Sequence, residues 1–217
     1  MTADGTLLLK DVTIRLGDKT LIDGLSLAVP PGKIVTVMGP SGSGKSTLLS
    51  WVCGSAIPAF AIDGGLKLDG LDISHLPLEA RRVGILFQDD LLFPHLSVAG
   101  NLAFGIPRGV SPGERAKRVA EALAEAEMPG FEDRDPATLS GGQRARIALM
   151  RTLLAEPKAL LLDEPFSRLD AALRDRIRRF TFDHAMERGL PTLLVTHDPD
   201  DAAAAGGPII EIDIAPC

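Results

Sequence analysis

Gly39-Pro40-Ser41-Gly42-Ser43-Gly44-Lys45-Ser46 is a stretch built to hold phosphate. Its glycines let the main chain wrap closely, so that N–H groups point inward at anionic oxygens. It follows the apolar run Ile34–Met38 and leads into a helical pattern from Thr47 to Cys53. That strand–loop–helix order is the context such a cradle needs. The helix start adds partial positive charge. Lys45 can reach the β- and γ-phosphates of a nucleotide as a point charge, and the Ser46 hydroxyl can ligate Mg²⁺. Gly39 to Thr47 therefore form the candidate nucleotide-binding set.

A second acidic feature lies far along the chain. Ala159-Leu160-Leu161-Leu162-Asp163-Glu164-Pro165 reads as an apolar strand that ends in two carboxylates. Asp163 at its tip can hold Mg²⁺ through water. Glu164 is then placed to orient and polarise an attacking water. Phosphoryl transfer needs that division of labour: cations neutralise charge while one group positions the nucleophile.

The elements that must position these groups follow from periodicity. Leu7–Arg15, Leu25–Val29 and Gly64–Leu68 carry β-friendly residues bounded by Gly, Asp and Pro. Ile34–Met38, Val83–Phe87, Ala159–Leu162 and Leu193–Thr196 are nearly unbroken apolar runs, as strands buried on both faces should be. Helical patterns separate them, which predicts a parallel, helix-covered sheet. From about Asp89 to Pro157 the character turns helical. Ser111-Pro112-Gly113-Glu114 reads as a capping box with proline at the first helical position. The helix it opens places Ala116, Val119, Ala120 and Leu123 on one face. A second helix runs from near Ser140 to about Ala155. Leu173, Ile177 and Phe180 mark a third, and His184 on the same stripe reads as structural.

Composition limits the partners. The chain has 217 residues, 45% hydrophobic and 24% charged, an ordinary globular balance. A net charge of -6 argues against a nucleic-acid surface, and no nucleic-acid partner is expected. Two cysteines, Cys53 and Cys217, make no disulfide framework and fit a reducing compartment. Neither a signal-peptide pattern nor an apolar stretch near the roughly 20 residues of a membrane span is visible.

Leu139-Ser140-Gly141-Gly142-Gln143-Arg144 resembles the signature motif of ABC-type ATPases. Gln88 in F-Q-D-D resembles that family's Q-loop glutamine, Ser167-Arg168-Leu169-Asp170 its D-loop, and His197 in V-T-H-D its switch histidine. With the two motifs already described, six occur in order along almost the whole chain. The resemblance implies an α/β cassette of the P-loop NTPase class: a RecA-like core with an antiparallel β subdomain and an inserted α-helical subdomain. Residues 1–217 would form one such domain, with 1–88 and 158–217 as core and 89–157 as the helical subdomain.

The resemblance also implies roles. ATP and Mg²⁺ would bind between two copies. Ser140, Gly141, Gly142 and Gln143 of one copy would meet the γ-phosphate held by the other copy's cradle. His197 would hydrogen-bond that phosphate and fix the geometry around Glu164. Gln88 would ligate Mg²⁺ with Ser46 and Asp163. Asp170 would lie at the dimer seam. Lys45, Gln88, Glu164 and His197 are the candidate catalytic set. A free-standing cassette of this kind points to the ATPase subunit of a bacterial importer, a homodimer at the cytoplasmic face of the inner membrane. It would serve integral-membrane permease subunits and, indirectly, an external substrate-binding protein. A soluble cofactor-assembly scaffold and an exporter subunit are the alternatives.

Three positions stand apart from the pattern. The family stacks adenine on an early aromatic residue, and R-L-G-D puts Leu16 there, with Arg15 as the other possible platform. Loose discrimination between ATP and GTP follows. Arg168 stands where a small or amide side chain is common, and it either pairs across the dimer or is solvated. Leu91, Leu92, Phe93 and Leu96 either pack the helical insert or meet a permease helix, and His95 lies in the same region.

Overall fold

The computed structural model describes residues 5–212. Met1 to Asp4 and Cys217 lie outside the described residues. The chain divides into two compact units.

The first unit comprises Met1–Ile85, Lys158–Glu164 and Phe182–Cys217. Its antiparallel sheet has the order β2-β1-β4-β5, from β1 (Leu7–Leu16), β2 (Lys19–Val29), β4 (Phe60–Leu68) and β5 (Leu71–Asp72). β1 and β2 form a hairpin whose register shifts between Leu9 and Val12 and again near Ile14. Those irregularities, with polar residues between Lys19 and Gly24, hide the first half of β2 from a period-two reading. The second sheet has the order β6-β7-β8-β3-β9. β3 (Ile34–Met38) lies parallel to β8 (Thr192–Thr196) on one side and β9 (Ile209–Glu211) on the other, while β7 (Ala159–Asp163) lies parallel to β8. β6 (Val83–Leu86) is the edge beyond β7. Each of the three apolar runs that fill β3, β7 and β8 is buried along nearly its full length. A parallel strand covered on both faces needs such a run.

α1 (Lys45–Cys53) rises from β3 and buries Leu48, Leu49 and Val52 in the main core. It begins at Lys45, two residues before the expected Thr47. Cys53 is buried in that core, as a small apolar residue is. The helix ends at Gly54, held left-handed at φ 96. A Cβ there would meet Arg81 Nε at 2.9 Å, so glycine makes room for an arginine at the helix end. Arg81 belongs to the short α2 (Leu78–Arg81) and donates to the Trp51 and Val52 carbonyls at 2.6 and 3.1 Å. It also donates to the Ser74 and Leu76 carbonyls, at 2.7 and 2.8 Å. Last-turn helix carbonyls lack partners within their own helix, and Arg81 supplies them.

The second unit comprises Leu86–Pro157 and Pro165–Thr181. It holds α3 (Val98–Gly105), α4 (Pro112–Glu125), a 3₁₀ turn (Pro136–Thr138), α5 (Gly141–Leu154) and the first part of α6 (Ala171–Glu187). Ser111 caps α4 through Glu114 N, but the Glu114 side chain reaches forward to Arg118 at 2.9 Å. The reciprocal half of the expected capping box gives way to an i,i+4 ion pair. The buried face of α4 is also rotated from expectation: Val119, Ala122, Leu123 and Ala126 are buried, while Ala116 and Ala120 are exposed. Val119 and Leu123 keep the expected side, and packing chooses which of the flanking alanines join them. Ile177 is buried on α6, with Leu173 and Phe180 partly so. His184 is half-buried.

Candidate functional site

In the first unit, β3 ends where the main chain must turn sharply into α1. Gly42 and Gly44 take φ of 82 and 94, values that side chains rarely adopt. Gly39 answers a different constraint: a Cβ there would sit 2.4 Å from the Ile212 carbonyl oxygen. Lys45 is buried at 4% exposure, and its Nζ donates to the Gly39 and Pro40 carbonyls at 2.7 and 2.8 Å. Burial pulls the Lys45 pKa down, while Glu164 and Asp163 push it back up. Ser43 Oγ is buried without a hydrogen-bond partner. Pro40, Ser41 and Ser46 are exposed, and Thr47 is half-buried.

Asp163 ends β7 and accepts a hydrogen bond from Ser46 Oγ at 3.0 Å. Burial pushes its pKa up; the Ser46 bond lowers it, Glu164 raises it and Lys45 lowers it. Glu164 follows in a left-handed conformation, φ 46. Proline at 165 disfavours the right-handed helical region for the residue before it. The Glu164 N–H still donates to Val195 O at 2.9 Å, extending the β7–β8 ladder by one residue. The side chain reaches His197, whose Nδ1 lies 3.0 Å from Glu164 Oε1. Strain of this kind costs on the order of 1–3 kcal/mol and is found at functional sites.

His197 is itself set by the loop after β8. Thr196 Oγ1 donates to Asp201 Oδ2 at 3.2 Å and accepts from Asp198 N at 3.0 Å. Asp198 caps α7 (Pro199–Ala205) through Asp200 N. Thr196 and Asp201 escaped the sequence reading. The T-H-D-P-D-D wording offered a capping signal that would have found the loop but not its link to His197.

The donor set fits a nucleotide with Mg²⁺. An unpartnered buried hydroxyl, a buried ammonium and left-handed glycines surround the cradle. A hydroxyl–carboxylate pair beside it supplies oxygen ligands of the kind Mg²⁺ takes.

Gln88, Ser140–Gln143, Arg168 and Asp170 lie in the second unit. Ser140 caps α5 in a full capping box: Gln143 N donates to Ser140 Oγ, and Ser140 N donates to Gln143 Oε1 at 2.9 Å. The Gln143 side chain is thus engaged by its own helix start. Gly142 is buried, and a Cβ there would lie 2.5 Å from Leu173 Cδ1. Gly141 faces Leu169. These close approaches tie α5 to the 165–181 segment. Asp170 accepts from Leu173 N at 3.0 Å at the start of α6. Gln88 is exposed at the mouth of a groove of about 340 Å³ that Leu92, Pro136 and Arg168 also line.

Arg168 pairs with Asp89 of its own chain while its side chain stays largely exposed. The two are 79 residues apart, beyond the reach of any local pattern. Leu16 is exposed at 44%, and Arg15 is held by Asp63 at 3.2 Å across the β1–β4 pairing. Phe93 packs on Phe104 and His95, with ring centroids 4.5 and 5.9 Å apart. Asn101 went unnoticed in the sequence. It is fully buried and bonds both the Phe93 N–H and the Phe93, Leu96 and Ser97 carbonyls.

Residues 22–167 match the family described as ABC transporter. The chain belongs to that family. As one of the ABC ATPase cassettes it takes ATP with Mg²⁺. It is 48% identical over 198 residues to the uncharacterized ABC transporter ATP-binding protein YnjD of Escherichia coli K12, covering 91% of each chain. It is 41% identical over 203 residues to the Fe(3+) ions import ATP-binding protein FbpC of Escherichia coli O157:H7. It is 43% identical over 197 residues to the spermidine/putrescine import ATP-binding protein PotA of Nitrosomonas europaea. The chain spans 58% of FbpC and 54% of PotA, although 93% and 90% of its own length is matched. Among solved structures, the dimeric bacterial ABC transporter cassette MJ0796 superposes with a TM-score of 0.78 at 31% identity, covering 95% of this chain and 94% of that one. MJ0796 in a dimeric post-hydrolysis state with ADP and Pi gives 0.77, also at 31%, covering 97% of each. The ABC cassette fold is therefore established, with its antiparallel and parallel sheets. Among the described residues, no helix is long and apolar enough to cross a membrane.

Proposed function

We propose that this chain is the ATP-binding and hydrolysing subunit of a bacterial ABC importer, working as a homodimer at the cytoplasmic face of the membrane. The observation that carries the chemistry is the Glu164–His197 pair at 3.0 Å, one residue beyond the Asp163–Ser46 pair. Lys45 and the N–H groups of Gly39 and Ser41–Thr47 would bind the β- and γ-phosphates of ATP. Ser46 and Asp163 would hold Mg²⁺, which would neutralise phosphate charge. Glu164 would accept a hydrogen bond from the attacking water and take up its proton as the water oxygen bonds to the γ-phosphorus and the bond from that phosphorus to the β–γ bridging oxygen breaks, so that ADP leaves with the electron pair and inorganic phosphate forms. His197 would hold the Glu164 carboxylate in place by donating from Nδ1. Ser140 and the Gly141–Gly142 N–H groups, at the start of α5, give the partner copy's γ-phosphate an anion site. Hydrolysis then removes the ligand shared by both copies, and the dimer reopens.

The import reading is supported by the FbpC and PotA relatives, whose names state import. Permease subunits would dock on the segment from Gln88 to Asn101, where Leu91 is 57% exposed. An external binding protein would supply cargo to the permease. The test is Glu164→Gln, which is expected to bind MgATP, accumulate as a dimer in light scattering and cease turnover. Normal hydrolysis by that variant would remove Glu164 from its role. Lys45→Ala is expected to lose MgATP binding in calorimetry, and retained tight binding would contradict the cradle.

A further inference from the structure

Three consecutive residues after Gln88 are each held by a different arginine. Arg168 pairs with the Asp89 carboxylate. Arg144 Nε donates to Asp90 Oδ2 at 3.3 Å. Arg151 donates to the Asp90 and Leu91 carbonyls, at 3.2 and 2.9 Å. Arg144 and Arg151 are two helical turns apart on α5, so they present to the same side. Leu91 is left-handed, φ 45, a conformation a branched apolar residue holds only when its surroundings over-determine it. Of these arginines, Arg144 does one thing more. Its Nη1 donates to the Leu139 carbonyl at 2.7 Å, and Leu139 directly precedes Ser140. Burial pushes the Asp90 carboxyl up, and the Arg144 guanidinium counters it.

We propose that Arg144 is a positioning residue that locks the Gln88 segment to the start of α5, so that Asp90–Leu91 and Ser140 shift as one body. A guanidinium suits this because its planar fork bonds two acceptors at fixed angles; an ammonium is a single point charge and cannot reproduce both. The strained Leu91 makes the segment a loaded element: when Gln88 is displaced, the arginine bonds carry that displacement to the residue that caps α5. The inference rests on the ATPase reading for its consequence, but not for its geometry.

The experiment compares the full chain with Asp90→Asn, Arg144→Lys and the double variant. Hydrogen exchange reads the link without any activity. Each single variant is expected to raise exchange both at 88–92 and at 139–144. Faster exchange confined to the mutated side overturns the proposal, whether or not the chain hydrolyses ATP. In steady-state assays each single variant is expected to lower kcat about tenfold with MgADP affinity unchanged, and the double variant to be no slower than the worse single. Unchanged kcat with only a lower Tm, or losses that multiply in the double variant, also overturns it. Absence of hydrolysis in the unmodified chain counts against the ATPase reading alone, and the exchange data still decide the link.

Discussion

Replacing Arg81 by Met should destabilise the whole cradle from behind. The guanidinium is 7% exposed and donates four hydrogen bonds, all to main-chain carbonyls: Trp51, Val52, Ser74 and Leu76. Two of those carbonyls end α1, the helix that begins at Lys45. Charge-assisted bonds contribute roughly 1.5–3 kcal/mol each before the cost of burying the charge is counted. That cost is visible as a pKa pulled down, chiefly by burial. Methionine restores apolar volume and removes the desolvation cost, yet removes the Arg81 donors from four carbonyls; Trp51 keeps the Gly54 N–H at 3.1 Å, and the other three lose about 1 kcal/mol or more apiece. The net loss is about 3 kcal/mol, which lowers Tm by about 6–12 °C in a chain of this size. Arg81→Lys keeps the charge but not the fork and should recover less than half. Urea denaturation followed by circular dichroism gives the free energy directly. A loss under about 1 kcal/mol for Arg81→Met would refute the reasoning, since the carbonyls would then have found other donors.

The remaining predictions concern the site. With Leu16 in place of an aromatic platform and Arg15 held by Asp63, ATP and GTP should be hydrolysed with kcat/KM values within about tenfold of each other, and Leu16→Tyr should widen the gap. A strong preference for ATP in the unaltered chain would count against this. Asp163→Asn keeps an acceptor for Ser46 but removes a carboxylate whose folded pKa is raised. Such a group favours folding below its ordinary pKa and loses that contribution as pH rises through the folded value. Without nucleotide, the variant should therefore melt higher than the parent near pH 7, and the difference should shrink as pH falls toward the usual aspartate range. Scanning calorimetry across pH checks the sign. Gly39→Val should cost about 1–3 kcal/mol and weaken MgATP binding, because its Cβ would collide with the main-chain oxygen of Ile212. Unchanged stability in denaturant would show that β9 yields easily.

What the sequence disclosed was local. The runs filling β3, β7 and β8 are apolar because they are covered on both faces, and each ends in the residues that matter: Gly39, Asp163 and His197. The Ser140 cap and the left-handed glycines are likewise written in short patterns. What stayed hidden was long-range or short. β9 is three residues, too few to show a period, yet its neighbour Ile212 is why position 39 must be glycine. The Arg168–Asp89 and Arg144–Asp90 pairs join charged residues that look solvated in isolation. On α4 the sequence marks Val119 and Leu123, which are buried, but alanines flank them on both sides and do not show which way the buried face turns. Asn101, a polar residue in an apolar helix, carried a signal of burial only once its four carbonyl and amide partners were in view.

The central claim is that one copy holds only part of each hydrolytic centre. The measurement that tests it most directly is ATPase rate per chain against protein concentration, with association followed by light scattering. The account predicts a rate per chain that falls on dilution together with the dimer. A constant rate per chain in a sample that remains monomeric would contradict it.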